Sequence, residues 1–110
     1  RNRLIMTCVK FLFKDGSLSG FEVKGHSTQN GDDLEGKIVC SAVSSAAYMT
    51  ANTITEIIGD RCEITIDDAK MYLSAKTSSE STVSVLKGFK LHITELSKQY
   101  SNRIKIITEV

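Results

Sequence analysis

The sequence predicts an α/β domain, a single-domain sandwich of one mixed β-sheet with two helices packed on it, in the order ββαββαβ. Three observations carry this. Two long stretches repeat apolar residues at helical spacing, five short ones alternate at period two, and Asp-Gly, Gly and Asp-Asp signals separate them. The chain has 110 residues, no proline, no low-complexity linker and no internal repeat, so residues 1–110 read as one domain. The order of strands within the sheet does not follow from the pattern.

Each element has its own signature. Leu4 to Phe13 is rich in β-branched and aromatic residues, with Ile5, Val9, Phe11 and Phe13 on one face. Lys14-Asp15-Gly16-Ser17 is a hairpin turn, because Asp-Gly supplies positive φ. Leu18 to Gly25 returns as a strand, with Phe21 and Val23 alternating. Ser27 to Gly36 is polar with two glycines and reads as a loop.

Lys37 to Ile58 reads as a helix, with Ile38, Ala42, Ala46, Met49, Ile54 and Ile57 as its apolar stripe and Gly59 as its stop. Cys62, Ile64 and Ile66 alternate with Glu63, Thr65 and Asp67 in a half-buried strand. Asp67 to Lys70 turns the chain, and Met71 to Ala75 runs back. Ser78 to Ser81 opens a second helix carrying Val85, Leu86, Phe89, Ile93, Leu96 and Tyr100 on one side. Arg103 to Val110 closes as a strand through Ile104, Ile106 and Ile107.

Composition narrows the function. The chain is 41% hydrophobic and 25% charged, with a formal net charge of +1. That balance argues against broad nonspecific nucleic-acid binding. Lys87, Lys90, Lys98, Arg103 and Lys105 gather positive charge late in the chain, but such runs are usually a solvated face. No apolar run approaches the roughly 18 residues of a membrane span. Arg1 to Phe13 is basic and then apolar, yet Lys10 interrupts it and no small-residue cleavage site follows, so it reads as a strand and the cytoplasm is the expected compartment. The three cysteines are then expected to stay reduced. None is spaced as CxxC, and with two histidines they make no zinc pattern, so neither metal nor cofactor is expected.

One pairing stands out. His26 follows Gly25 at a strand end, and Cys40 follows the polar loop at the expected start of the first helix. A thiol near free helix N–H groups and the positive end of the dipole tends toward thiolate. If the loop folds back, the imidazole reaches the thiol as general base and later as acid. Ser44 shares the helix face one turn on. Each of these residues has a plain packing reading as well. Cys8 and Cys62 alternate in strands and read as structural, and His92 reads as an ordinary helix histidine.

Gly25-His26, a polar loop, then Gly36-x-Ile38-Val39-Cys40-x-Ala42-Val43-Ser44 resembles the signature of the ribosomal-processing cysteine proteases, and the likeness covers the whole chain. The resemblance implies a homodimeric α/β enzyme that needs no cofactor. It implies that the substrate is the precursor of large-subunit ribosomal protein L twenty-seven, whose N-terminal extension is cut off just after aromatic residues. Nucleophile and base then fall on Cys40 and His26, and a supporting serine on Ser44. The family's mobile loop falls on Ser27 to Gly36, taking in Gly31, Asp32 and Asp33. One position departs from the pattern: the family usually has an aspartate three residues before the cysteine, and this chain has Lys37. Asp32, Asp33 and Glu35 are the nearby carboxylates. The alternative to an enzyme is a noncatalytic ribosome-associated binding module that uses the same helix start.

Overall fold

The computed structural model describes residues 6–25, 33–68 and 70–109. Strands β1 (Thr7–Lys14) and β2 (Ser17–Lys24) form an antiparallel hairpin. Asp15 and Gly16 at its tip take φ of 53° and 81°, the double positive φ that a two-residue hairpin needs. Alternation then sets Val9 opposite Val23 and Phe11 opposite Phe21, and all four side chains are buried. Leu4 and Ile5, expected to begin this strand, lie outside the described residues.

Helix α1 (Leu34–Asn52) begins at Leu34 rather than Lys37. Its cap is Asp33, whose carboxylate accepts the Gly36 N–H at 3.0 Å. Gly36 therefore sits inside the first turn, not in the preceding loop. Thr50, Thr53 and Thr55 donate their hydroxyls to carbonyls four residues back, at 2.8, 2.7 and 3.0 Å. Such back-bonding competes with the helical ladder. There the helix widens into a π-helical segment, Thr53–Ile58, which ends at Gly59 in the left-handed conformation.

The hairpin of β3 (Cys62–Asp67) and β4 (Lys70–Ala75) comes next, then helix α2 (Glu80–Gln99) and strand β5 (Ile104–Glu109). The strands lie in the order β3-β4-β2-β1-β5, antiparallel except for the parallel β1–β5 pair. Both helices bury their apolar residues in one cluster with one face of the sheet. Phe89 of α2 is the hub of this layer, with ring centroids 4.5 Å from Phe21 and 5.9 Å from Phe11. The other sheet face is polar, and Glu22 lies 3.9 Å from Lys10 and 3.8 Å from Lys70. The element order and the mixed sheet with two helices are those read from the sequence.

Three expectations are corrected. The buried apolar side of α1 is Val39, Val43, Ala47 and Ala51, continued by Ile54 of the π-helical segment as expected, while Ile38, Met49 (70% exposed) and Ile57 point outward. The helix is apolar on two sides, so periodicity alone does not select the face. Second, β3 is an edge strand. Ile64 and Ile66 lie opposite the buried Leu73 and Met71 of β4, but no helix covers them, and Ile66 is 51% exposed. Third, Arg103 is not part of a solvated face, being only 8% exposed.

Asp60, just after the π-helical segment, caps α2 from outside. Its Oδ2 accepts from the Ser79 N–H (3.0 Å), the Ser79 hydroxyl (2.8 Å) and the buried Thr82 hydroxyl (2.6 Å). Ser79 in turn accepts the Thr82 N–H at 3.2 Å as the α2 N-cap. Together the donors hold the Asp60 carboxyl below its ordinary value of 3.8, Thr82 acting most strongly.

Phe89→Ala should cost about 3–5 kcal/mol by urea unfolding, as expected for an aromatic deletion in a packed core, and an unchanged midpoint would contradict the hub role. The acid response has a definite sign. Asp60 has a lowered folded pKa, so the unfolded chain binds the extra proton first. Its stabilisation is present above about pH 4 and is lost as pH falls toward the lowered folded value. Asp60→Asn should therefore flatten the fall of the urea midpoint between neutral and acid pH.

Candidate active site

Helix α1 presents Cys40, Ser44 and Tyr48 in one line, at spacings of four residues. The three line a cleft of about 140 Å³. Its floor is Thr7, Val23 and Met71, Ala47 stands with the α1 side, Gly25 also lines it, and Ile66, Asp67, Asp68 and Lys70 at the β3–β4 turn form the far wall. The sheet thus supplies the base, α1 one side, and the uncovered edge hairpin the other. Cys40 and Ser44 are both half-buried, reachable from the cleft but held by packing.

Gly25 is there for a steric reason. Its φ is +109°, and a Cβ would stand 2.6 Å from the Met6 carbonyl oxygen. Only glycine brings the end of β2 this close to the start of β1. The next residue in the chain is His26. His26, Ser27, Gly31 and Asp32 lie outside the described residues, and so does the expected meeting of imidazole and thiol.

The structure moves Cys40 along its helix. It is six residues past Leu34, about 9 Å along the axis. The unpartnered N–H groups of an α-helix belong to its first four residues, and the dipole effect fades beyond the first turn. The expected activation of Cys40 by the helix start therefore does not hold. The sequence placed the start too late because Gly36 reads as loop, whereas Asp33 caps ahead of it. Lys37, one turn before Cys40, is exposed.

Two acids near that turn have another task. Asp33 accepts two hydrogen bonds of 2.7 Å from the Arg103 guanidinium, and Glu35 accepts one of 3.1 Å from Arg103 Nε. The guanidinium beside Asp33, with the Gly36 N–H, holds its carboxyl below the ordinary value. Neither Asp33 nor Glu35 stands in for the family aspartate as a free acid. Arg103 and Tyr48 were missed in the sequence. Tyr48 was legible as the residue eight past Cys40, while Arg103 carried no local signal.

Cys62 borders the core beside Asp60, and burial, then the Asp60 charge, pushes its thiol above 9.0. His92 is exposed within α2, on the rim of a larger groove of about 740 Å³ between the helices. That groove lies along the other flank of α1, at Ala42, Ala46 and Met49, and no cysteine lines it. Among the described residues, no three His, Cys, Asp or Glu side chains are grouped to hold a metal ion.

A family model described as cysteine protease Prp matches residues 6–105. The crystal structure of SMU.848 from Streptococcus mutans superposes with a TM-score of 0.81 at 23% identity, covering 94% of this chain and 99% of that one. Two structures of the essential ribosomal processing protease Prp from S. aureus also match, each over 96% of this chain and 99% of theirs. The one in complex with a substrate peptide has a TM-score of 0.80 at 16% identity, and the one with a covalently linked product peptide 0.76 at 17%. At these identities the structural likeness establishes the fold. No curated protein matches the chain.

Cys40 opens onto a cleft and the Cys62 thiol is raised, so iodoacetamide at neutral pH should modify Cys40 before Cys62. Peptide mass mapping at partial labelling reads the order, and preferential labelling of Cys62 would contradict it.

Proposed function

The chain belongs to the Prp family of cysteine proteases, and from that premise we propose that it removes the N-terminal extension of ribosomal protein L twenty-seven through a Cys40–His26 dyad. The family resemblance read from the residues is borne out, and with it the enzyme class. The observation that carries the finer reading is the cleft itself. It joins Cys40 to Gly25, the residue just before His26. A cleft along the flank of α1 suits a peptide, and the S. aureus relative is described with a peptide substrate and with a linked product.

In this reading His26 takes the Cys40 proton, and the thiolate sulfur attacks the scissile carbonyl carbon. The carbonyl π pair moves to oxygen, then returns as the C–N bond breaks. The leaving amine receives the proton from the imidazolium and departs with the downstream protein. Water, deprotonated by His26, hydrolyses the thioester and frees the extension and the thiol. Ser44, one turn along and in the same cleft, supports the substrate by hydrogen bonding. The cleft is apolar at Val23, Ile66 and Met71, which suits aromatic residues upstream of the cut. The enzyme works in the cytoplasm as a homodimer, without cofactor, and the exposed apolar residues Ile38 and Met49 are consistent with a partner copy.

Incubation with the extended ribosomal protein should give one cut just after the aromatic residues, read by product mass. Cys40→Ala and His26→Ala should each lower the rate by at least about 10³-fold, in line with loss of a nucleophile or its base. Light scattering on the same sample reads the dimer. Binding without cleavage would return the noncatalytic module, and cleavage that survives Cys40→Ala would remove the dyad.

A further inference from the structure

We propose that Arg103 is a positioning residue for the protease chemistry, fixing the helix that bears Cys40 against the strand ends that bear Gly25; the inference rests on the Cys40–His26 reading above. Arg103 precedes β5 and lies far in sequence from both parts. Its side chain reaches α1, where Nη1 and Nη2 each donate to Asp33 at 2.7 Å and Nε donates to Glu35 at 3.1 Å. Asp33 is itself bonded to the Gly36 N–H, so the guanidinium grips the cap of the helix. The main chain of Arg103 reaches the sheet, where its carbonyl accepts the Thr7 N–H at 2.8 Å. Thr7 lies on the cleft floor, and Gly25 packs against the preceding carbonyl, that of Met6. One residue thus holds the helix side of the cleft with its side chain and the strand side with its backbone.

The rest of the α1 packing does not fix this alignment as tightly. Val39, Val43, Ala47 and Ala51 contact the core through short apolar side chains. Apolar contact is nondirectional, so it resists separation more than sliding or rotation. A forked guanidinium–carboxylate pair is directional in distance and angle. It is also shielded, since the Arg103 side chain is 10% exposed and that of Asp33 13%. An offset of about 1 Å between reacting groups can cost on the order of a hundredfold in rate. Arg103 touches no substrate in this account and acts through Asp33.

Arg103→Lys keeps the charge and removes the fork, while Arg103→Gln and Asp33→Asn remove the charge on either side. Each would be compared with wild type by steady-state cleavage of the extended ribosomal protein, by the pH profile of Cys40 alkylation, and by thermal melting followed by circular dichroism. The expected result is a kcat lowered by about ten- to a hundredfold, with KM within about threefold, in protein that is still folded at the assay temperature. The alkylation profile should differ from that of wild type, with Arg103→Lys milder than Arg103→Gln. A wild-type kcat and alkylation profile in all three variants overturns the proposal. So does a loss of activity that merely follows the unfolded fraction. If wild type does not cleave the substrate, the reading of function fails, and the alkylation profiles alone decide on Arg103: a shift in the variants supports its role and identical profiles overturn it.

Discussion

Two helices do not cover five strands. Strands lie about 4.8 Å apart, so five of them make a surface roughly 24 Å wide, while each packed helix covers about 10 Å. Packing on one face therefore leaves about one strand's width bare. Here the bare strip is β3 and the turn to β4, which is why Ile64 and Ile66 point toward the helix layer and still meet solvent. The cleft is what remains between that strip and the flank of α1. The size of the sheet relative to its cover thus makes room for a peptide beside a thiol.

The larger features of the fold were legible in the sequence because local chemistry and global packing agree there. Asp15-Gly16 supplies a turn that few other pairs supply, and the structure uses both positive φ angles. Phe89 falls in the only apolar register of α2, so its burial against Phe11 and Phe21 follows from periodicity. The face of α1 was not legible. Val39 and Val43 compete with Ile38 and Met49, and nothing in the helix itself selects between them. The choice is made by the sheet, through contacts distant in sequence. The edge position of β3 was hidden for a similar reason. Its alternation is that of a half-buried strand, and strand order is a property of the whole chain.

The site was legible as residue types and spacing, less so as geometry. Cys40, Ser44 and Gly25 were recognisable from the motif, and the structure gathers all three on one cleft. The start of α1 was misread by three residues because a glycine in the first turn looks like loop. That error mattered, since it credited the thiol with help from a helix end that lies nearly two turns away. What holds the helix end in place was invisible. An arginine in a basic stretch gives no sign that its partner is an aspartate 70 residues earlier.

That separation bears on timing. Thr7 is paired with the last strand, and the cap of α1 is held by the residue just before that strand. Contacts spanning most of a chain form late, because the loop they close must be ordered first. The hairpin of β1 and β2 and each helix can form while the polypeptide is still being made. The clamped cleft cannot, since it waits for Arg103 and β5. A nascent chain would therefore carry its thiol well before it carries the clamped cleft, which forms only after Arg103 and β5 have been made. Latency of this kind is written into connectivity, and needs no inhibitor.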